Sequence, residues 1–513
     1  MKGVTHACIA RSYLECGPGS WRLPYVCAKR HWADQEFCSI RESPRRYTRH
    51  SDLSWFKLKT LEVGTDPIEN PSAKIVQFGL LADGTRTEPD QNLYLVLDHP
   101  GGPTAGYNYG RHFLFQGHEN GGDLAYVTRI NLDVKDPAHR VTLLTPEGAD
   151  GFTHFNSIDG STYDPFTKTL LFTQENGSAG GVIQIRSTWP PVATTLDGIF
   201  GKAGYEGVHP DDRGSILLIE DTGGVLVNVN PADSTSPKTA KQPNSFVYRF
   251  WPYNVTDLSK GGKLQALQVS IDHQPVIFNA GDPVGDTFSL QQLQLHTPGT
   301  SYPVRWVTIH DTAVDGTDSF DANAAAKAAG ATPFKRPENM AFLPGGEFRT
   351  FFFCPTGDTD ATAGNVAELA ARGSWGSIFR VDLRASRNAG RISILVLGDA
   401  DHASFDNLTF ANSNTLLPTE DRGDLLHGQL NKLDSVWAFS VNGKKSAKRF
   451  IALGRDATSV AAGEDNEPTG LHVSNGSPLF FAQPGSPLNL IGARGFVTRQ
   501  HGDNLVCEVV PRD

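Results

Sequence analysis

Short apolar runs that end in a carboxylate recur along this sequence and restrict its fold more than any other feature. Four such runs end at Asp98, at Glu175, at the pair Glu220 and Asp221, and at the pair Glu420 and Asp421. Several strands that bring acids to one end of the molecule are typical of the inner strands of a β-propeller. The spacing is irregular and exceeds the ~40–45 residues of a compact blade, so a propeller would need long insertions.

The rest of the chain also favours β-structure. From about residue 55, β-branched and aromatic runs alternate with turn residues, and only the stretches 321–329 and 365–372 have a helical composition. Neither stretch has the length or spacing of a βαβ crossover. We therefore predict an all-β fold, a propeller of about six blades with long inter-strand insertions and a few short helices. A β-sandwich or barrel with acidic strand ends is the alternative.

Charge and hydropathy limit the classes of partner. The chain has 513 residues, a formal charge of −10 and 52 glycines. Because no basic stripe occurs, we expect no binding to nucleic acid or to an anionic membrane. No window has the ~18–20 apolar residues of a membrane helix, so we expect a soluble protein with no membrane span. The six cysteines lack the CxxC spacing of zinc or redox sites.

The first part of the chain differs from the rest. Residues 1–50 hold nine Lys and Arg against four acids, with no continuous apolar region that would mark a signal peptide. We predict a basic, poorly ordered extension over residues 1–54 and one propeller domain over residues 55–513.

Four glutamates stand at turns rich in Gly, Pro and Asn. They are Glu175, Glu206, Glu338 and Glu467. Ca²⁺ takes six to eight oxygen ligands from carboxylates, Asn and backbone carbonyls, and converging turn acids supply such ligands. The glutamates are therefore candidate metal ligands. The alternative is that surface turns are simply rich in such residues.

Arg336 and Glu338 flank Pro337 and form the most specific candidate pair for a substrate-binding pocket. Because proline disfavours the helical conformation of the residue before it, we predict an extended Arg336. Residues two apart in a strand share a face, so both side chains would enter one pocket. A guanidinium beside metal-bound carboxylates suits a phosphate or carboxylate substrate. A structural ion pair is the alternative.

Asp406 and His501 are weaker candidates, as a metal ligand and as a ligand or acid/base respectively. No EF-hand loop, Gly-x-Ser-x-Gly elbow, Walker loop or His-Glu-x-x-His motif occurs in the sequence. Serine-hydrolase and nucleotide-dependent chemistry are therefore disfavoured.

Six short motifs, taken together, resemble the PhoX family of secreted bacterial alkaline phosphatases. In chain order they are Thr-Leu-Leu-Phe-Thr-Gln-Glu-Asn, Tyr-Glu-Gly-Val, Arg-Pro-Glu-Asn, Phe-Asp-Asn-Leu-Thr-Phe, Asn-Glu-Pro-Thr-Gly and Gln-His-Gly. The resemblance spans roughly residues 55–510. It implies a six-bladed propeller with a calcium–iron cluster at one axial mouth and a location outside the cytoplasm.

The resemblance also implies roles for single residues. Glu206 and Glu338 match cluster ligands, Glu175 and Glu467 match calcium-side carboxylates, and Arg336 matches the phosphate clamp. Thr173 stands where the family has an iron-ligating cysteine, in Thr-Gln-Glu-Asn instead of Cys-Glu-Glu-Asn. Threonine is a poor ligand for Fe³⁺. The chain therefore resembles a divergent member of the family that holds Ca²⁺ and whose Fe³⁺ site lacks the thiolate ligand.

The predicted function is a metal-dependent phosphomonoesterase that hydrolyses organic phosphate esters, with Arg336 and Glu338 as the catalytic pair. Two alternatives stay open. One is another hydrolase on the same scaffold, namely a phosphodiesterase, a phytase or a lactonase. The other is a non-catalytic, calcium-stabilised propeller that binds a partner protein or polymer.

Overall fold

The structure is a computed structural model, described here for residues 40–41, 56–432, 434–442, 447–452 and 467–512. The predicted basic extension, residues 1–54, lies outside the described residues except for the short strand β1 (Ile40–Arg41). Strand β2 (Phe56–Glu62) follows.

Two four-stranded antiparallel sheets come first along the chain. Blade 1 contains β3 (Glu88–Val96), β4 (His112–Glu119), β5 (Tyr126–Asn131) and β6 (Val141–Leu143). Blade 2 contains β7 (Ile158–Asp164), β8 (Thr169–Gln174), β9 (Gly181–Arg186) and β10 (Ala193–Thr195).

Blade 3 carries the largest insertions. Its strands are β11 (Tyr205–Pro210), β12 (Ile216–Glu220), β15 (Val247–Pro252) and β16 (Gly262–Ile271), and the hairpin of β13 (Leu226–Asn228) and β14 (Lys238–Lys241) interrupts them. The short β17 (Gln274–Pro275) pairs with β16. Strand β18 (Tyr302–Asp311) also pairs with β16 and joins this blade to the next one.

The last three blades complete the ring. Blade 4 contains β19 (Pro337–Phe342), β20 (Thr350–Pro355), β21 (Ser377–Leu383) and β22 (Ala389–Leu397). Blade 5 contains β23 (Phe405–Asn412), β24 (Thr415–Glu420), β25 (Ser435–Ser440) and β26 (Lys448–Ala452), with β1 at its edge. Blade 6 contains β27 (Pro468–Ser474), β28 (Arg494–Arg499) and β29 (Leu505–Pro511), and β2 pairs with β29 as its fourth strand.

The helices are short and lie in the connections. They are α1 (Asp197–Phe200), α2 (Pro283–Phe288), α3 (Leu290–Leu295), α4 (Thr312–Asp315), α5 (Ala322–Ala328), α6 (Ala361–Gly364), α7 (Ala367–Ala370) and α8 (Gly423–Leu430). Two of them, α5 and α7, fall within the two stretches of predicted helical composition. None of the helices in the described part of the chain is long and apolar enough to cross a membrane.

Burial between neighbouring blades holds the ring together. Phe115 of blade 1 and Phe172 of blade 2 belong to one buried apolar cluster, and Phe352 of blade 4 and Phe410 of blade 5 belong to another. The innermost strands β3, β7, β11, β19, β23 and β27 contact one another in sequence, and β27 returns to β3. This closed ring of six blades confirms the predicted six-bladed propeller with insertions, and the alternative of a β-sandwich or barrel is wrong.

One of the four strand-end acids lies at the opposite end of the ring from the others. Glu175, Asp221 and Asp421 follow the second strands of their blades, whereas Asp98 follows the innermost strand β3. Adjacent antiparallel strands end at opposite sides of a sheet. Asp98 is accordingly exposed and pairs with Arg111 at 2.7 Å.

Candidate metal centre

A cavity of about 290 Å³ opens at the end of the ring where the innermost strands begin. Its lining contains Arg336, Gln500, His501, Gly423 and ten acidic residues, namely Glu88, Asp90, Glu119, Asp159, Glu175, Glu206, Glu338, Asp406, Asp421 and Glu467. Such a concentration of carboxylates around one guanidinium attracts cations.

A repeated irregularity in the innermost strands places half of these acids. In every blade the register between the first and second strands shifts near the start of the first strand, by a β-bulge or a related irregularity. Bulges redirect side chains beside functional sites. The acids that stand in the shifted segment are Asp90, Asp159, Glu206, Glu338 and Asp406. In blade 6, Thr469 stands directly before the shifted segment, and its hydroxyl donates a hydrogen bond to Asp90.

The second strands of some blades supply further acids, whereas Glu88 of the lining begins the innermost strand β3 and Glu467 directly precedes the innermost strand β27. The residue that follows the first paired position is Glu175 in blade 2, Asp221 in blade 3 and Asp421 in blade 5, and in blade 1 Glu119 pairs with Glu88 at the end of β4. Blades 4 and 6 have Thr356 and Gln500 there. The site is therefore a six-fold repeat whose members differ in side chain.

Two groups of three carboxylates are close enough to share an ion. Oxygens of Asp90, Glu119 and Asp159 lie within 4.8 Å of one another, and so do oxygens of Glu175, Asp221 and Glu338. Unprotonated carboxylates repel at such distances unless a cation or a proton lies between them. Each group is a candidate cation site.

Buried oxygens without partners support this interpretation. Asp159 Oδ1, Glu206 Oε2 and Asp406 Oδ2 are buried and have no hydrogen-bond partner within the described part of the chain. Leaving a buried carboxylate oxygen unpaired is costly, and a hard cation satisfies it. The donor set of the cavity, rich in carboxylates and without a thiolate in its lining, fits Ca²⁺, Mg²⁺ or Mn²⁺.

Burial and mutual repulsion make these acids hard to ionise. Burial, followed by the charge of Asp421, raises the pKa of Asp90 to about 6. Burial, followed by the charge of Asp221, raises the pKa of Glu338 to about 7. The pKa values of Asp159, Glu206 and Asp406 are raised well above their ordinary values, first by burial and then by neighbouring carboxylates. A cation in the cavity would reverse these shifts.

Arg336 contributes a guanidinium group to the wall of the cavity. Its Nε and Nη2 donate to Asp221 Oδ2 at 2.9 and 2.6 Å, and Nη2 also lies 3.4 Å from Glu338 Oε1. The predicted extended conformation is wrong, because Arg336 has a left-handed φ of 50°. Ser157 and Ser404 precede two other innermost strands with the same left-handed φ. The shared pocket therefore depends on a turn before the strand, not on strand alternation.

Blade 6 closes the cavity with a histidine. His501 Nε2 lies 3.2 Å from Glu467 Oε2, and His501 Nδ1 lies 3.9 Å from Glu88 Oε1. Gln500 Nε2 donates to Glu119 Oε1 at 2.8 Å and to Asp90 Oδ2 at 3.2 Å. This side of the site is held by hydrogen bonds between blades 1 and 6.

Thr173 does not line the cavity. Its hydroxyl is fully buried and donates to the backbone carbonyl of Glu206 at 2.5 Å. Gly160 lies beside this contact, and a Cβ at Gly160 would stand 1.8 Å from the same Glu206 oxygen. In blade 4, Cys354 occupies the corresponding position and donates its Sγ–H to the carbonyl of Asp406. Thr173 thus positions the strand that carries Glu206.

The structure brings most of the sequence candidates together. Glu175, Glu206, Glu338, Glu467, Asp406, Arg336 and His501 all line the one cavity, and Thr173 lies behind it. Glu88, Asp90, Glu119 and Asp159 also line the cavity and were not predicted from the sequence. The signal for Asp90 and Asp159 was a short repeat, in which an apolar residue or proline precedes an acid and then Gly, Asn or Gln, as in Pro-Asp-Gln, Ile-Asp-Gly, Tyr-Glu-Gly, Pro-Glu-Asn and Phe-Asp-Asn.

Solved structures show only distant likenesses. TolB from Acinetobacter baumannii is 10% identical with a TM-score of 0.30, and the match covers 82% of this chain and 64% of the TolB chain. An inactive variant of virginiamycin B lyase from Staphylococcus aureus is 11% identical with a TM-score of 0.33, and the match covers 89% of this chain and 100% of the lyase chain. At these TM-scores neither likeness carries an argument about function. No curated protein sequence matches the chain.

Residues 226–474 of the chain match the sequence model of a protein family. The matched residues, 226–474, include Arg336, Glu338, Asp406, Asp421 and Glu467 of the cavity. They also include three of the six motifs quoted above, Arg-Pro-Glu-Asn, Phe-Asp-Asn-Leu-Thr-Phe and Asn-Glu-Pro-Thr-Gly. The predicted resemblance is thus confirmed over this range, and the family that residues 226–474 match is alkaline phosphatase PhoX.

Proposed function

We propose that the protein is a calcium-dependent phosphomonoesterase that hydrolyses small organic phosphate esters in the carboxylate cavity. The observation that supports it best is the Arg336 guanidinium, which contacts Asp221 and Glu338 of one group of three carboxylates and lines the same cavity as the other group. Arg forms directed, charge-assisted hydrogen bonds to phosphate oxygens. The match to the phosphatase family over residues 226–474 points to the same chemistry.

The charge of the cavity makes bound cations a requirement of this function. Ten acidic residues line the cavity and would repel a phosphate ester. Cations held by the carboxylates would neutralise that charge and draw electron density from the phosphoryl oxygens. We propose Ca²⁺, because the lining is rich in oxygen ligands of the kind that Ca²⁺ prefers. We do not extend the proposal to Fe³⁺, because Thr173 donates its hydroxyl to a backbone carbonyl behind the cavity.

The residues of the chain have separate roles in this proposal. Asp90, Glu119 and Asp159 would hold one cation, and Glu175, Asp221 and Glu338 a second. Arg336 would orient the phosphoryl group and stabilise the charge that develops in the transition state, as fixed donors do at such sites. Asp221 holds the guanidinium through two of its nitrogens, which fixes its direction.

His501 is our candidate for proton transfer to the leaving alcohol. It lies in the cavity wall, where Glu467 fixes the ring at 3.2 Å. Histidine is the residue that most often transfers protons near neutral pH. The products would then be an alcohol and inorganic phosphate. We propose a location outside the cytoplasm, as the resemblance implies.

The decisive experiment combines metal analysis with turnover. The full-length protein is purified, its metals are determined by elemental analysis, and p-nitrophenyl phosphate hydrolysis is measured before chelation, after chelation and after addition of Ca²⁺. Bound calcium together with turnover that chelation removes and Ca²⁺ restores is the expected result. Turnover that resists exhaustive chelation, or a protein that binds no divalent cation, would refute the proposal.

Calcium binding without turnover would favour the second candidate, a non-catalytic calcium-stabilised propeller. Thr173 favours this candidate, because it replaces the family's cysteine with a residue that holds only the backbone. A panel of phosphodiester, phytate and lactone substrates then separates a binding propeller from another hydrolase on the same scaffold.

A further inference from the structure

A segment of residues 475–493, here called the apolar insertion, separates strands β27 and β28. It contains no Asp, Glu, Lys, Arg or His. It forms two 3₁₀ turns, Phe480–Ala482 and Pro487–Leu490. Its large apolar side chains face outward, with exposed fractions of 52% for Leu479, 52% for Phe480, 49% for Phe481, 42% for Leu488 and 61% for Ile491. A contiguous exposed apolar surface of this kind marks an interaction site.

Three polar side chains of the apolar insertion point inward instead. Gln483, Ser486 and Asn489 are each more than nine-tenths buried. Gln483 Nε2 donates to the carbonyl of Ser477 at 2.7 Å, and Asn489 Nδ2 donates to the carbonyl of Ala482 at 2.8 Å. Ser486 donates to the carbonyl of Phe481. The segment is therefore inverted, with polar groups inside and apolar groups outside.

Internal satisfaction of the backbone is what an apolar environment demands. In hydrocarbon no water is present to pair with carbonyl groups, so each must find a partner within the protein. Buried polar groups of folded proteins are paired in this way as a rule. Because the inner polar groups of the apolar insertion are already paired, its outward surface presents apolar side chains, and such a surface suits contact with a lipid phase.

Two exposed cations, Lys168 and Arg213, stand beside the apolar insertion, and neither forms an ion pair with a carboxylate within the described part of the chain. The ring of Phe166 lies 6.2 Å from that of Phe480, and exposed Lys168 follows it in the same turn. A Cβ at Gly214 would lie 3.5 Å from Phe166, which places the turn of exposed Arg213 next to the same ring. Arg213 donates only to the carbonyl of Ala385 among the contacts of the described residues. The exposed acids beside them, Asp212 and Glu347, pair with Arg387 and Arg349 at 2.5 Å each. Lys168 and Arg213 therefore add positive charge to this rim, which complements an anionic surface.

The apolar insertion lies at the opposite end of the ring from the carboxylate cavity. Glu88, at the start of β3, lines the cavity, whereas Tyr94, near the end of β3, lies against Gly476. Gly345 in the turn between β19 and β20 donates to the carbonyl of Gly485. A surface bound through the apolar insertion would leave the cavity open to solvent.

We propose that the apolar insertion docks the protein on an anionic lipid bilayer. The five outward apolar side chains enter the interface, where such groups lie ~5–10 Å deep at the boundary between headgroups and acyl chains. Lys168 and Arg213 contact the anionic headgroups. The sequence shows no basic stripe because these two cations come from different blades, and only the fold brings them to one rim.

Vesicle binding tests this proposal with the full-length protein. Sedimentation is measured with vesicles of phosphatidylcholine alone and of phosphatidylcholine with phosphatidylglycerol. We expect binding to the anionic vesicles that weakens as salt is raised, because headgroup contacts are screened. No sedimentation with either vesicle would overturn the proposal.

Paired variants locate the contact. Phe480→Ser combined with Phe481→Ser is expected to lower the affinity for anionic vesicles at least about tenfold, because two large apolar side chains lose their lipid contact. Val314→Ser, at a valine that is 79% exposed in α4, is the matched control and leaves binding unchanged. Lys168→Glu combined with Arg213→Glu is expected to remove the preference for anionic vesicles.

Two outcomes would assign the surface differently. Equal vesicle binding by the double-serine variant and by the unchanged protein would show that the apolar insertion is not the contact. Self-association that the double-serine variant abolishes, without vesicle binding by the unchanged protein, would show that a second copy covers the surface. Phosphatase activity is not used as a readout, so failure of the proposed function leaves this test intact.

Discussion

The Arg336 guanidinium donates two hydrogen bonds to the Asp221 carboxylate and keeps the same Nη2 within 3.4 Å of Glu338. Arg336 precedes strand β19 in blade 4, whereas Asp221 follows strand β12 in blade 3. The pair therefore joins two blades at the mouth of the cavity. Although burial lowers the pKa of Arg336, Asp221 and Glu338 raise it, so the guanidinium stays charged.

Substitution Arg336→Gln tests the phosphate contact. We expect kcat/KM for p-nitrophenyl phosphate to fall by about 10²-fold or more, as when one fixed oxyanion donor is lost. The calcium affinity of Arg336→Gln should stay unchanged or increase, because the substitution removes a positive charge from the cavity. Arg380→Gln is the control, since Arg380 pairs with Asp382 on the surface. Unchanged turnover in Arg336→Gln would mean that Arg336 only holds Asp221.

Substitution Asp159→Asn tests the cation site. Without cations we expect the melting temperature to hold or increase, because a buried like charge is removed from the group with Asp90 and Glu119. With Ca²⁺ we expect a smaller rise in melting temperature than in the unchanged protein, because one ligand is lost. Asp164→Asn at the far end of the same strand is the control and should keep the full calcium-induced rise. A full rise in Asp159→Asn would contradict the assignment.

The raised pKa values predict how stability depends on pH. Asp90 and Glu338 have pKa values of about 6 and 7, above the ordinary 3.8 and 4.5. Between the ordinary and raised values the folded state binds more protons than the unfolded state, so stability falls as pH rises. We therefore expect chelated protein to lose stability through these carboxylates from pH 5 to pH 8. Calcium should oppose this loss, because it favours the ionised form.

Buried histidines change the stability with pH in the opposite direction to the buried carboxylates. The measurement must therefore separate the two contributions. Burial lowers the pKa of His209 to about 4 and that of His472 to about 3, so their contribution to stability falls as pH drops below the ordinary 6.5. The calcium-induced rise in melting temperature is therefore measured at pH 5, 6, 7 and 8, and the histidine effect cancels in the difference. The rise should grow with pH; a rise that shrinks with pH would contradict the prediction.

Substitution Thr173→Val tests the positioning role of the hydroxyl. The Glu206 carbonyl would lose its buried donor, and we expect a loss of about 1–3 kcal/mol in the free energy of unfolding. Urea unfolding measures this loss. Calcium binding should weaken as well, because the strand that carries Glu206 is less firmly held. Thr173→Ser keeps the hydroxyl and serves as the control; equal losses in both variants would implicate the methyl group instead.

Much of the site was predictable because the propeller repeats its local sequence. Strand-end acids such as Glu175 and Asp221 follow the second strands, and short motifs mark Glu206, Glu338 and Asp406 at the innermost strands. Asp98 has the same local pattern but follows an innermost strand, so it lies at the other end of the ring. Local sequence does not reveal which strand of a blade is innermost.

The sequence by itself determined the strand-rich composition, the turn positions of the acids and the match to a phosphatase family over residues 226–474. These properties are local, since they depend on a few neighbouring residues. Tertiary structure decided that Arg336 adopts a left-handed turn and engages Asp221, 115 positions away, and that Thr173 faces a carbonyl and not the cavity. Ring closure sets these contacts, because each one joins two blades whose relative position no short segment encodes.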